Sequence, residues 1–218
     1  MLADFRSKAK AAGHSEWTSP PTDAGSYNNT PDSQPFFRDG YKTDYGKFFL
    51  SWYQGVLETH AQSLLKIGDQ VFGSLSKAIK VAGIHWWYGH ASHAAELTAG
   101  YNNAKENAYE NLEDVFGKAH FDFTCLEMTD AEHSGENCYS KPEELVRQAI
   151  DAVKVFGGSM CGENALEMYT RNKYQQVLNN LKYAKGYFSA FTYLRLNDKL
   201  LNQYMDDYKW FVSEAGKI

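Results

Sequence analysis

The sequence predicts a parallel α/β fold, and three observations carry that expectation. Between residues 77 and 218, short β-prone runs alternate with helix-like segments in four successive units, at intervals of roughly 30 to 45 residues, the spacing of strand and helix in a parallel sheet. Residues suited to chemistry gather just past the carboxyl ends of those runs, where active sites of parallel α/β folds lie. The 218 residues, 43% of them hydrophobic, suffice for one sizeable domain with a buried core. Alternation alone leaves a barrel and a doubly wound sheet both open. Neither GxGxxG after a strand nor GxxxxGK[ST] occurs, so a cradle for nucleotide phosphates has no support.

Residues 1–44 read as a short helix, Ala3 to Ala12, and a long polar loop from Gly13 to Lys42. Its aromatics Trp17, Tyr27, Phe36 and Phe37 argue that this loop is pinned to a surface. Residues 45–76 form a long helix: Phe49, Trp52, Val56, Leu57, Leu64, Ile67 and Val71 recur at three- and four-residue steps, with Asp44 as the expected cap. The four strand-and-helix units occupy 77–218. Strands are expected at 78–84, 121–126, 155–161 and 187–196, and helices at 104–118, 144–153, 172–183 and 200–214. Ser140 and Glu143 have the spacing of a capping box before the second of these helices.

Composition excludes several functions. A net charge of -5 without a basic run gives no surface for neutralising phosphates, so nucleic acid is not an expected partner. No stretch of roughly 18 apolar residues exists to cross a membrane, and the first residues do not read as a signal peptide, which implies an intracellular protein of cytoplasm or plastid. Cys125, Cys138 and Cys161 form neither a disulfide framework nor a CxxC zinc pattern. The 15% aromatic content, including 15 Tyr and 5 Trp, suits sugar-stacking faces and large core side chains equally. His85, His90, His93 and Glu96 lie close in sequence but match no standard zinc spacing, so neither a metal nor a cofactor is expected.

Several motifs then occur in a telling order. KVAGIHWWY spans Lys80 to Tyr88 and is followed by SHAAELTAGY; FTCLEM spans Phe123 to Met128, GENAL Gly162 to Leu166 and TYLRL Thr192 to Leu196, with AGHSEW, DAGSYN and GKFFLSWY nearer the start. Together these closely resemble the beta-amylases, glucan hydrolases that release maltose from non-reducing ends of starch. The resemblance covers essentially the whole chain. It implies a fold of the (β/α)8 TIM-barrel family, the chain being its carboxyl-terminal half with roughly the last four β/α units.

The resemblance also implies roles. Glu163 matches the general base of an inverting hydrolysis, which takes a proton from water attacking the sugar face opposite the leaving oxygen. The matching general acid lies on an earlier strand, upstream of Met1, so this chain alone is expected to be nearly inert. Lys80, His85 and Trp86 match residues that bind glucose units on the leaving side of the scissile bond, by hydrogen bonds and by stacking on an indole face. Thr124 matches a threonine of a mobile inner loop; Asn164 and Ala165 match sugar contacts beside the base; Arg195 matches an arginine at the last strand end.

Blander readings stand beside each role. Glu163 as an acid near a helix amino terminus, Thr124 as a satisfied strand hydroxyl, and Arg195 in a structural ion pair all remain open from the residues themselves. Trp87 reads as structural and Glu127 as support for the site. The chain departs from the family pattern at Glu167, Met168 and Thr129, where arginines commonly follow the motifs, and in the loop from His133 to Tyr139. Starch or maltooligosaccharide is the implied ligand, with self-association or an amino-terminal half-barrel as the implied partner. A non-catalytic glucan-binding or regulatory relative is the alternative.

Overall fold

A computed structural model describes residues 1–26 and 28–218; the reading of Tyr27 as a pinning aromatic lies outside them. Four strands, β1 (Ala78–Val81), β2 (His120–Phe123), β3 (Met160–Glu163) and β4 (Phe188–Thr192), form one parallel sheet in the order of the chain. That order decides what alternation left open. A doubly wound sheet reverses its strand order at a switch point, whereas strands added in one direction keep every right-handed crossover on one face. Four strands so arranged are half of an eight-stranded barrel, with helices outside and the second face turned to the barrel axis.

Ten helices accompany the sheet among the described residues: α1 (Leu2–Ala11), α2 (Pro35–Arg38), α3 (Asp44–Phe72), α4 (Ala94–Ala99), α5 (Ala108–Phe116), α6 (Asp130–His133), α7 (Pro142–Phe156), α8 (Arg171–Tyr183), α9 (Asp198–Gln203) and α10 (Met205–Ala215). The outer face of the sheet contributes Val81, Phe121, Phe123 and Met160 to a core completed by Leu112 and Phe116 of α5, Leu145, Ile150 and Val153 of α7, and Val177 and Leu178 of α8. Each such side chain contributes about 1.5–3 kcal/mol on full burial. Position 162 pairs with Phe123 on that face, and glycine suits it because a Cβ there would stand 2.6 Å from Leu126 Cδ2. A smaller cluster holds the amino-terminal segment, with Phe36, Phe37, Tyr41, Leu50 and Leu97 at its centre.

The structure corrects several local expectations. The third strand starts late: Val155 and Phe156 complete the last turn of α7, and Gly157 (φ +65°) ends that helix in the left-handed region. Thr43, not Asp44, caps α3, its Oγ1 accepting from the Gly46 N–H at 3.0 Å. Ser140 does not cap α7 either. The Glu143 N–H is met from a distance by Asp130 Oδ1 at 2.8 Å, which leaves the Ser140 hydroxyl for His85. The loop from Gly13 to Lys42 contains α2 and two 3-10 turns, α4 has no counterpart in the expected elements, and the last helix is broken at Tyr204.

One stripe is left bare. The periodicity of α3 suggests a buried face along its whole length, yet Leu64, Ile67 and Val71 are 49%, 55% and 66% exposed. No described element covers the carboxyl-terminal half of α3 on that side. The apolar spacing of this part of α3 is thus that of a packing surface left uncovered by the described residues.

Glu113 on α5 is buried, and both of its carboxylate oxygens lack hydrogen-bond partners among the described residues. Burial pushes its carboxyl up to about 7. Between the ordinary value of 4.5 and about 7, the folded chain holds this proton and the unfolded chain does not, so stability falls as pH rises through that window. A Glu113→Gln variant is expected to be close to the parent at pH 4.5 and more stable at pH 8, by up to about 3 kcal/mol. Urea denaturation at the two pH values checks this, and equal stability changes at both would refute it.

Candidate active site

Side chains of a strand alternate between faces, so the register fixes what meets inside the half-barrel. Lys80 pairs with Asp122, Asp122 with Cys161, and Glu163 with Thr192. All of these lie on the face away from Val81, Phe123 and Met160. The long stem of Lys80 crosses β2 to reach Glu163, with which it forms an ion pair, and its Nζ stands 3.7 Å from Asp122 Oδ2. The Glu163 side chain is only 12% exposed. The helix-end reading of Glu163 fails on this placement, because the residue ends β3 and points to the barrel axis.

Asp122 was not singled out from sequence, although it belongs to this group. Its Oδ1 is buried with no partner among the described residues. Burial raises its carboxyl above the ordinary value; Lys80 opposes the rise and the Glu163 charge adds to it. The available signal was periodicity: in the run Phe121-Asp122-Phe123, two apolar residues flank one charge, which places that charge on the face shared with Lys80.

Behind Glu163 the chain is tied down by polar side chains. Asn164 is fully buried; its Nδ2 donates to the carbonyls of Leu166 (2.7 Å) and Leu194 (3.2 Å), and its Oδ1 accepts from the Leu194 N–H at 2.8 Å. Both amide donors of Asn164 are thus engaged by the framework of the chain. Glu127, also fully buried, accepts from the N–H groups of Ala165 (3.0 Å) and Leu166 (2.6 Å). The Ala165 N–H is thereby occupied too. Burial raises the Glu127 carboxyl, and the Leu166, Glu127 and Ala165 N–H groups and Lys173 moderate the rise.

The second group lies at the rim after β1. His85 Nδ1 is 2.7 Å from Ser140 Oγ, and its ring stands 5.5 Å from Trp86 and 5.2 Å from His133. Burial first, and then His133, lower the His85 pKa, which favours a neutral ring whose Nε2 can meet a sugar hydroxyl. Trp86 and Trp87 form part of the wall of a largely apolar cavity of about 370 Å3 against Phe37, Ile84 and Ala94. Trp87 also packs on the smaller core cluster. The segment from Cys138 to Lys141 is laced to this rim: the Trp87 N–H donates to Cys138 O at 2.6 Å, the Gly89 N–H to Tyr139 O at 2.9 Å, and the Lys141 N–H to His85 O at 2.9 Å.

The two groups meet through Gly83, where a Cβ would be 3.0 Å from both Thr124 Cγ2 and Cys125 Sγ. Thr124 lies just beyond β2, and its hydroxyl has no side-chain hydrogen bond among the described residues. Arg195 follows β4 with φ +65°, exposed, and among the described residues it forms no ion pair. The histidines after β1 diverge: His93 contacts Glu96, His90 contacts Ser92 and Asp32, and His85 contacts Ser140. Among the described residues no three metal-ligating side chains converge.

A buried strand-end carboxylate, a lysine beside it and an aromatic rim, on the inner face of a singly wound sheet, define half of a barrel of the glycoside-hydrolase class. The comparisons agree with that class: residues 3–215 match glycosyl hydrolase family 14, and the chain belongs to this family. It is 41% identical to a beta-amylase of Vigna unguiculata over 97% of this chain and 46% of the relative. With beta-amylase Tri a 17 of Triticum aestivum it shares 43% identity over 92% of this chain and 42% of the relative. The crystal structure of the catalytic domain of beta-amylase from Paenibacillus polymyxa superposes with a TM-score of 0.76 at 29% identity, covering 98% of this chain and 54% of that one. The chain thus spans about half the length of the relatives it matches.

An Asn164→Ala variant removes three hydrogen bonds at a fully buried position and leaves the Leu194 N–H and two carbonyls unpaired. It is expected to lose about 2–4 kcal/mol of stability, which thermal melts check. A loss under 0.5 kcal/mol for Asn164→Ala would show that the strand ends are not held by this amide.

Proposed function

We propose that the chain forms the carboxyl-terminal half of a beta-amylase-type site, which hydrolyses α-1,4-glucosidic bonds of starch from non-reducing ends with inversion and release of maltose. The observation that carries this reading is the position of Glu163, an inward carboxylate at the end of β3 with Lys80 beside it. In the proposed reaction Glu163 removes a proton from water, whose oxygen then attacks the anomeric carbon opposite the departing oxygen. His85 and Trp86 receive glucose units on the leaving side, one through ring nitrogen and hydroxyl, the other by stacking. Glu127 positions the backbone beside the base and does not touch substrate.

Inversion needs a second carboxyl about 6.5–9.5 Å from the base, across the scissile bond. Asp122 shares a lysine with Glu163 and Glu127 is bonded to backbone behind it, so neither has the place of a general acid. The acid belongs to a preceding set of strands in this reading. The same missing half explains the bare stripe of α3 and the unpaired edges of β1 and β4, which favour pairing with a complementary half-barrel or self-association. Light scattering of the isolated chain is expected to show oligomers; a stable monomer with a cooperative melt would count against the open half-barrel.

Loss of one acid/base group removes about 10² to 10⁴ in rate, so the chain alone is expected to release little maltose from soluble starch. It is still expected to bind maltose, with a change in tryptophan fluorescence that Trp86→Ala abolishes. Starch hydrolysis that is robust in the chain and persists in Glu163→Gln would overturn the assignment of the base. Binding without hydrolysis, even when the chain is joined to a complementary half carrying the acid, would favour a glucan-binding role.

A further inference from the structure

Asp122 has no part in the reaction just described, yet it stands under the path of Lys80, the one cation that pairs with Glu163 among the described residues. We propose that Asp122 is a positioning residue that shares Lys80 with Glu163, so that the ammonium moves between two carboxylates as the base gains and loses its proton. The geometry is set by three adjacent parallel strands. Lys80 on β1 is directly opposite Asp122 on β2, and Glu163 on β3 lies diagonally beyond it, two residues past the position that pairs with Asp122. To contact Glu163 the lysine stem must pass over Asp122, where its Nζ keeps a 3.7 Å approach to Oδ2.

The charges leave the shared lysine as the balancing element. Facing Asp122 are Lys80 from β1 and Cys161 and Glu163 from β3; facing Glu163 from β4 is Thr192, and no residue of Phe188–Thr192 is charged. Burial raises the Cys161 thiol, with Asp122 adding to the rise, so the thiol contributes no negative charge near neutrality. Two carboxylates thus divide one ammonium. When water loses a proton to Glu163, that carboxyl becomes neutral and its hold on Lys80 weakens. Lys80 then closes on Asp122, whose half-buried carboxylate gains the partner it lacks, and one carboxylate and one ammonium remain paired. Release of the proton from Glu163 to solvent returns the lysine.

The catalytic meaning of this exchange rests on Glu163 being the base, whereas the coupling itself is measurable without substrate. The test is a carboxyl NMR titration of the chain labelled with 13C at Asp and Glu side chains, with signals assigned by Glu163→Gln and Asp122→Asn. In the parent chain the Glu163 and Asp122 signals are each expected to inflect at the other's midpoint. In Asp122→Asn the second inflection of the Glu163 signal is expected to vanish, since Lys80 then serves one carboxylate and the neighbouring titrating charge is gone. Asp122→Glu is expected to keep the double inflection. Single-step curves in the parent chain would overturn the proposal whether or not the variants fold, and so would a Glu163 curve that keeps its second inflection in a folded Asp122→Asn. Coupled curves in a chain that never supports starch hydrolysis, even when completed, would sink the amylase reading and leave the shared lysine standing.

Discussion

The parallel register of β1, β2 and β3 fixes both the core and the site, because side chains alternate with a period of two. In the observed register Val81, Phe121, Phe123 and Met160 enter the layer beneath the helices, and Lys80, Asp122 and Glu163 enter the barrel side. A one-residue slip in any of these strands would exchange the two sets on that strand. A carboxylate or ammonium would then be buried against Leu145 and Ile150 without a partner, at a cost of several kcal/mol. Phenylalanines or a methionine would face the open side in return. Because one error ruins both layers, the hydrophobic core enforces the placement of Glu163 on the barrel side.

Beyond the strands, precision comes from polar bonds and from backbone strain. Trp87, Cys125 and Arg195 all lie shortly past strand ends with φ of 60°, 60° and 65°, although none is glycine. A non-glycine residue held in the left-handed region costs roughly 1–3 kcal/mol, and such residues persist only where their surroundings over-determine them. The surroundings here are visible for two of them. The Trp87 N–H is bonded to Cys138 O, and Cys125 is buried beside Gly83. Arg195 follows Leu194, whose backbone is gripped on both sides by the Asn164 amide. The chain thus turns sharply at the rim of the site under restraints supplied by buried side chains of neighbouring loops.

Much of this was legible in the sequence, for reasons that separate short-range from long-range physics. The four strands and their helices follow from local periodicity, and α8 at Arg171–Tyr183 lies within a residue of expectation at its start. Motif order gave the barrel family and singled out Glu163 and Lys80 at two strand ends, with Lys80 read as a sugar ligand and not as the ion-pair partner of Glu163. What escaped were features decided by partners distant in sequence. Ser140 and Glu143 have capping-box spacing, but the cap comes from Asp130 and the serine hydroxyl goes to a histidine 55 residues away. The Asn164 amide donates locally to the Leu166 carbonyl and also grips the Leu194 backbone 30 residues on, a link that the motif does not reveal. Asp122 escaped because a charge in a strand is unremarkable until the register places Lys80 beside it. The third strand was misplaced since Val155 and Phe156 are apolar and β-prone, while Gly157 decides where the helix stops.

Two surfaces of opposite character lie open in this chain, and together they constrain what can cover them. The inner face presents Lys80, Asp122 and Glu163, which an apolar sheet could bury only by stranding charge. The flank of α3 presents Leu64, Ile67 and Val71, which gain nothing from a polar neighbour. A single body that satisfies both must itself be layered, with polar strand ends inside and apolar helix faces outside, and with strands free to pair with the edges of β1 and β4. Another set of β/α units meets that description, whereas a lone helix or a flat apolar sheet does not. The open surfaces therefore follow from the same alternation that built the half-barrel, with apolar helix faces outside, strand edges at the two flanks and charges on the inner side.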